Sequence, residues 1–467
     1  MRLSIVLILS FTLLSCLILL SPVAGILHYL FPAMAVVTGS LVIRVSSNAY
    51  ISFTLWLYLL TPCFRRLVDF RSSYVDPSPI LLTPFLVTAL AGFMVLRRPL
   101  LLWTREYLPY LLVSAVILYG MTIGALINPG IELVKSGFVW LIPLIWGLYL
   151  LTLDQSREKT RKLISVNMRC AAILLGVYGI SQYLSLPPWD LAWLEHIIED
   201  HNILSVGNLA TGQIRIWSTI NGPAVFGNFQ MAFLLIAAAD VNLIGSLAIV
   251  IGGLSFLLAQ MRSTWLGACV GLVCLFAWQR RRRLRLVSGV VVVGIVLVGL
   301  TSLSPFQEAV ATRIGTLSSG QDDGSLQERK ATQERLVHTV ETHPFGLGLA
   351  APVGKDTNDN AIDSGIFLAL VSVGWLGALV LWASLGVLFV GCFKDVSAST
   401  DLCIGFRVIV VACLIQMPFA DMYSGPGGFI LWTAIALADL TSVRGVTGFT
   451  RTVARIQKNN IPNQASI

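Results

Sequence analysis

The sequence predicts an all-α polytopic membrane protein of roughly fourteen transmembrane helices, with one long extracytoplasmic loop that contains a short helix. Three observations carry this prediction. The 467 residues have a mean hydropathy of +0.79, with 56% hydrophobic residues against 12% charged. The apolar residues collect in runs close to the about 20 that a bilayer core requires. Lys and Arg concentrate in a few of the short polar connections, as cytoplasmic loops require.

In chain order the runs fall near 5–22, 24–43, 48–62, 79–96, 107–127, 137–153, 164–186, 223–240, 242–260, 264–278, 286–304, 363–391, 402–419 and 427–441. The run at 48–62 is short and is expected to tilt or to lie at the interface. The first run, "SIVLILSFTLLSCLILL" after Met-Arg, has the look of a signal peptide. It lacks a small-x-small cleavage site before the next run, so it is read as a retained helix. The eight cysteines (Cys16, Cys63, Cys170, Cys269, Cys274, Cys392, Cys403 and Cys413) make no CxxC pair and nearly all lie inside runs. They read as small apolar fillers, with neither a disulfide nor zinc implied. The chain divides into N-terminal helices (1–200), a membrane core (201–304), the extracytoplasmic loop (305–362), C-terminal helices (363–443) and a basic tail (444–467).

The strongest basic connections are "QRRRRLR" (Arg280–Arg283 and Arg285) and "SREKTRK". Placing both inside makes both termini cytoplasmic. The tetra-arginine run then serves as a topological anchor, and no nucleic-acid partner is expected. Segments 63–78, 187–222 and 305–362 fall outside. Against the general bias these outer segments and helix ends carry Arg65, Arg66, Arg215, Arg262, Arg329 and Arg335. A cluster of outer arginines suggests an anionic ligand. Arg215, Arg65, Arg66 and Arg335, with His338 and His343, are the candidate substrate-binding residues. His196 and His201 are outer as well, but no histidine forms HExxH or another metal-ligand spacing. Neither a metal nor a cofactor is expected.

The centre of the long loop reads "DDGSLQERKATQERLVHTVETHPFGLG". Ser325 and Glu328 form a capping box, so a helix should start at Ser325 and end before Pro344. Leu326, Arg329, Gln333, Leu336, Val337 and Val340 share one face. Arg329 thus lies in the stripe that should press on the membrane domain. It either snorkels to the edge of that contact or reaches into a site there. "GLGL" lacks a preceding strand and a GxGxxG, and reads as a turn returning the chain to the membrane.

Several stretches, in order, resemble the bacterial O-antigen ligases and lipid-linked polysaccharide polymerases. "RIWSTINGPAVFGNFQMAFLL" is similar to the family's Asn-Pro or Asn-Gly turn opening a helix, and "QMRSTWLGACVGL" to its Ser-Arg-x-x-x-Leu helix start. "SLQERKATQERLVHTVETHPFGLGL" is similar to the loop helix and its exit. "DSGIFLALVSVGWLGAL" looks like the segment after the loop, with Gly374 and Gly377 at its two glycine positions. The resemblance spans about residues 205–380; residues 1–200 match only as a row of membrane helices. Asp363 and Ser364 stand where the ligases carry His-Asn, a departure that shifts the balance toward a polymerase.

The resemblance implies a metal-independent glycosyltransferase in the bacterial inner membrane, polymerising undecaprenyl-diphosphate-linked repeat units at the outer face. The alternatives are an O-antigen ligase and, from another class, a lipid-linked glycan transporter. A transporter would favour midplane charges and repeated halves, and neither is visible. Membrane lipid, a flippase and a chain-length regulator are the further partners implied. In such chemistry negative charge builds on a departing diphosphate, and arginine forks fit its oxygens. The candidate catalytic residues are therefore Arg262 and Arg329, with Asp363 as the base or as a helix N-cap. His338, His343, Glu341 and Asp359 are further candidates for the base.

Overall fold

The computed structural model describes residues 2–98, 107–153, 155–201, 214–279, 294, 299, 334–350, 362 and 364–440. The expected span at 286–304 apart from residues 294 and 299, the run at Arg280–Arg283 and Arg285, the capping box Ser325–Glu328, Arg329, Asp359, Asp363 and the basic tail lie outside these residues.

The described chain is a multi-pass α-helical membrane protein. Its helices are α1 Arg2–Leu20, α2 Leu27–Val45, α3 Ser47–Arg71, α4 Thr83–Leu96, α5 Leu108–Ile127, α6 Ile131–Thr152, α7 Arg157–Leu184 and α8 Pro188–His201. They continue with α9 Pro223–Ala239, α10 Leu243–Leu258, α11 Arg262–Trp278, α12 Gly365–Gly391, α13 Asp401–Gln416 and α14 Gly425–Leu437. Seven apolar stretches among the described residues are long enough to cross a bilayer, and four further apolar helices are shorter.

Two elements differ from expectation. The run at 48–62 belongs to a helix of 25 residues, α3, and is not short. Hydropathy truncated it because its last turns read "FRRLVDFR". Those charges are paired inside the protein, with Arg65 Nε 2.9 Å from Asp69 Oδ2. The second difference is α8, a helix in a segment expected only to be outside. It packs Trp193 and Leu194 against Trp217.

α9 is the hub of the bundle, touching α7, α10, α11, α13 and α14. It is buried nearly all round, from Phe226 to Ala239, as a central helix must be. Small residues set the close crossings around it. Gly267 of α11 faces Gln416 and Met231, and Gly405 of α13 faces Ala239, the pattern by which membrane helices approach.

One end of the bundle is held by arginines. Arg98 donates to Thr152 O (2.8 Å) and Arg169 pairs with Asp240 (2.9 Å). Arg157 and Arg161 pair with Asp439, and Arg407 donates to the carbonyls of Cys392, Lys394 and Ala438. Cations at helix C-termini satisfy the last carbonyls and the negative dipole end.

At the opposite end the long loop re-enters. Its helix, at 334–342 among the described residues, buries Leu336 and Val340 but leaves Val337 exposed, so the apolar stripe is narrower than expected. The following "PFGLGL" is more than a turn, because it is stitched into a break in α12. Gly374 has φ +65°, outside the helical region. Trp375 N–H donates to Pro344 O (2.9 Å), while Leu347 and Gly348 N–H donate to Val371 O (2.7 Å) and Ser372 O (3.0 Å). Broken backbone at membrane depth persists only when such partners replace the lost helical bonds. Gly374 and Gly346 permit the approach, since a Cβ on either would overlap the other's strand of main chain.

Candidate functional site

Away from the arginine-clamped end, α9, α11 and α14 all begin at one cavity of about 510 Å³. Ala224 and Val225 line it from α9, Arg262 and Ser263 from α11, and Gly425, Pro426 and Gly427 from α14. The first-turn N–H groups of a helix have no intrahelical carbonyl to meet. None of the three helices has a side-chain cap: the N-cap positions are Gly222, Met261 and Ser424, without a capping bond. Three positive dipole ends, with first-turn amides at every position but Pro223 and Pro426, make an anion-attracting pocket.

Arg262 deepens that potential. The α10–α11 connection turns at Gln260 (φ +55°), which puts Arg262 at the first position of α11, half-buried on the cavity wall. A cation at a helix N-terminus opposes the dipole by about 0.3–1 kcal/mol.

Arg215 lines the same cavity from the segment preceding α9. That segment is rigidly held. Arg66 donates to Ser218 O (2.7 Å) and Ile220 O (3.1 Å). Gln182 Oε1 accepts from Trp217 N (3.1 Å) and Ser218 N (2.9 Å), and Thr219 donates to Leu59 O (2.7 Å). The positive φ of Ser218 (+55°) is fixed by these bonds and by its own hydroxyl on Leu175 O (2.7 Å).

The structure places two expected substrate-binding residues away from this cavity. Arg66 is fully buried, paired with Asp190 (3.1 Å) and placed over Trp193. Arg65, 3% exposed, pairs with Asp69 and Asp76, donates to Val75 O and covers the Tyr74 ring. Neither lines the cavity, because protein partners take up both guanidinium groups. Arg335, His338 and His343 are exposed on or just after the loop helix, and none of them lines the cavity. Arg329 and Asp363 lie outside the described residues. Beside the latter, Ile362 lines the cavity, and Ser364 caps α12 by accepting from Phe367 N. The N-cap role considered for Asp363 thus falls to its neighbour.

Asp421, on the α13–α14 connection, was missed. It lines the same cavity. It accepts from Tyr423 N and Ser424 N (both 3.1 Å) and from the Ser424 hydroxyl. Burial pushes its pKa up, opposed by these bonds. In sequence it is one acidic residue in "FADMYSGPGG", which reads as a turn between two spans. The only available signal was that this connection is outer and opens a helix.

Fold and cavity together define a multi-pass membrane protein with an anion-suited, partly apolar site at one end of its bundle. Residues 247–383 match the family model described as O-antigen ligase. The match includes Arg262, the long loop and the break in α12, while Arg215 and Asp421 fall outside it. No curated protein matches the chain in sequence.

Proposed function

We propose that the protein is a glycosyltransferase of the bacterial inner membrane, acting at the outer face on undecaprenyl-diphosphate-linked glycans. The observation that carries this reading is the convergence of Arg215, Arg262 and three uncapped helix N-termini on one cavity that Asp421 also lines. The opposite end is the arginine-rich one, as a cytoplasmic face should be. A transporter would place its charged site near the midplane, and this site is terminal.

In the reaction an acceptor hydroxyl attacks the anomeric carbon of the lipid-linked sugar. The anomeric carbon–oxygen bond to the diphosphate breaks, and its electron pair leaves with the lipid diphosphate. Arg262 and Arg215, with Arg329 from the loop, meet that charge; guanidinium forks and backbone amides are suited to it. The hydroxyl proton passes to a carboxylate, Asp363 or Asp421.

The acceptor distinguishes two versions. The Asp-Ser in place of His-Asn at 363–364 favours polymerisation of repeat units. The match to the O-antigen ligase model favours transfer of finished polymer to another acceptor. Analysis of lipid-linked glycans in a deletion strain separates them. Single repeats on the carrier indicate a polymerase, full-length polymer on the carrier a ligase, and an unchanged pool removes both.

A further inference from the structure

Asn228 stands out on the cavity wall. It lies on α9 one turn beyond Ala224, so the two share a face, and both line the cavity. Asn228 is 5% exposed, yet its carboxamide oxygen has no hydrogen-bond partner. Leaving such a group buried and unpaired costs about 1–3 kcal/mol. Gln230 and Gln416, buried amides of this region whose oxygens are likewise without a partner, are anchored through their nitrogens to Ala172 O (3.1 Å) and Ala412 O (3.0 Å). No such bond anchors Asn228 among the described residues.

We propose that Asn228 is the residue that recognises the sugar, binding a hydroxyl or acetamido group of the glycan unit attached to the diphosphate. The inference rests on the glycosyl-transfer reading above. The open amides of α9 are at Ala224 and Val225, where a phosphate group is attracted. Asn228 sits one helical turn, about 5.4 Å, deeper along the same face. That is roughly the offset between a phosphate and the ring it carries. A neutral carboxamide both donates and accepts, which suits a hydroxyl or an amide and gives no advantage toward a diphosphate. Leu266 and Phe419, which line the same cavity, offer apolar surface for a sugar face.

The test compares two lipids on the purified full-length protein in lipid nanodiscs. One is undecaprenyl diphosphate, and the other is the lipid-linked glycan that accumulates in the deletion strain. Wild-type protein is expected to prefer the glycan-bearing lipid by on the order of tenfold, the worth of one or two well-placed hydrogen bonds. Asn228→Ala is expected to shrink that preference to about twofold or less. Asn228→Leu, closer in volume, gives the same readout should the alanine variant fold poorly. A preference that survives both substitutions overturns the assignment of Asn228 while leaving the glycosyl-transfer reading intact. Wild-type protein that binds neither lipid overturns that reading itself.

Discussion

At the scale of single residues, Arg262 and Arg215 were legible because each is a charge beside long apolar runs in an outer position. Asp421 was not, since the cavity that it shares with those arginines exists only after α9, α11 and α14 converge. Arg262→Ala is expected to abolish glycan transfer with near-normal protein levels, and Arg262→Lys to restore only part, because an ammonium lacks the fork. Near-full activity in the alanine variant would return Arg262 to a purely topological role. Asp421 yields a pH prediction. A base works ionised, and burial raises this carboxyl above its ordinary value. The acid limb of kcat/KM should therefore fall at a higher pH than the roughly 3.9 of a free aspartate. Asp421→Asn keeps an oxygen for the Tyr423 and Ser424 amides, so folding should hold while the rate drops about 10²–10⁴-fold. Since Ser364 supplies the cap of α12, Asp363→Asn tests the other carboxylate cleanly. Whichever variant keeps full rate is not the base.

At the scale of elements, helix identities were legible from run length, while the break in α12 was hidden. Its apolar run is continuous, and nothing local marks Gly374 as the point where the loop's exit replaces helical bonds. Gly374→Ala puts a side chain at φ +65° against the carbonyl of Pro344. A conformational penalty of about 1–2 kcal/mol plus the overlap should lower the melting temperature by several degrees; an unchanged melting curve would mean that the loop does not dock there in solution. The true length of α3 was equally hidden, because hydropathy counts Arg65, Arg66 and Asp69 as solvent-seeking, whereas Arg65 pairs with Asp69 and Arg66 with Asp190. Arg66→Ala leaves Asp190 buried and unpaired. It is expected to destabilise by about 3–5 kcal/mol, seen as loss of folded protein. A stable Arg66→Ala protein with weakened lipid binding would reinstate Arg66 as a ligand residue.

For the whole molecule, loop charges alone predict an orientation, and the structure gathers Arg98, Arg157, Arg161, Arg169 and Arg407 at one end and the cavity at the other. In a cysteine-free background, Gly320→Cys should react with impermeant thiol reagents in intact cells. Arg282→Cys should react only after permeabilisation. The inverse pattern would put the cavity in the cytoplasm and remove the basis for outer-face transfer.

The cavity's three helix starts also bear on how such a site changes through its history. A guanidinium disappears with one codon, but an amide fringe does not, since every residue except proline presents the same N–H. Much of the attraction for phosphate is thus written in main chain that side-chain drift leaves untouched. Positions such as Asn228 are then free to vary, and with them the glycan, while the lipid-diphosphate handle stays common. A lineage could in this way exchange one surface polysaccharide for another without rebuilding its chemistry.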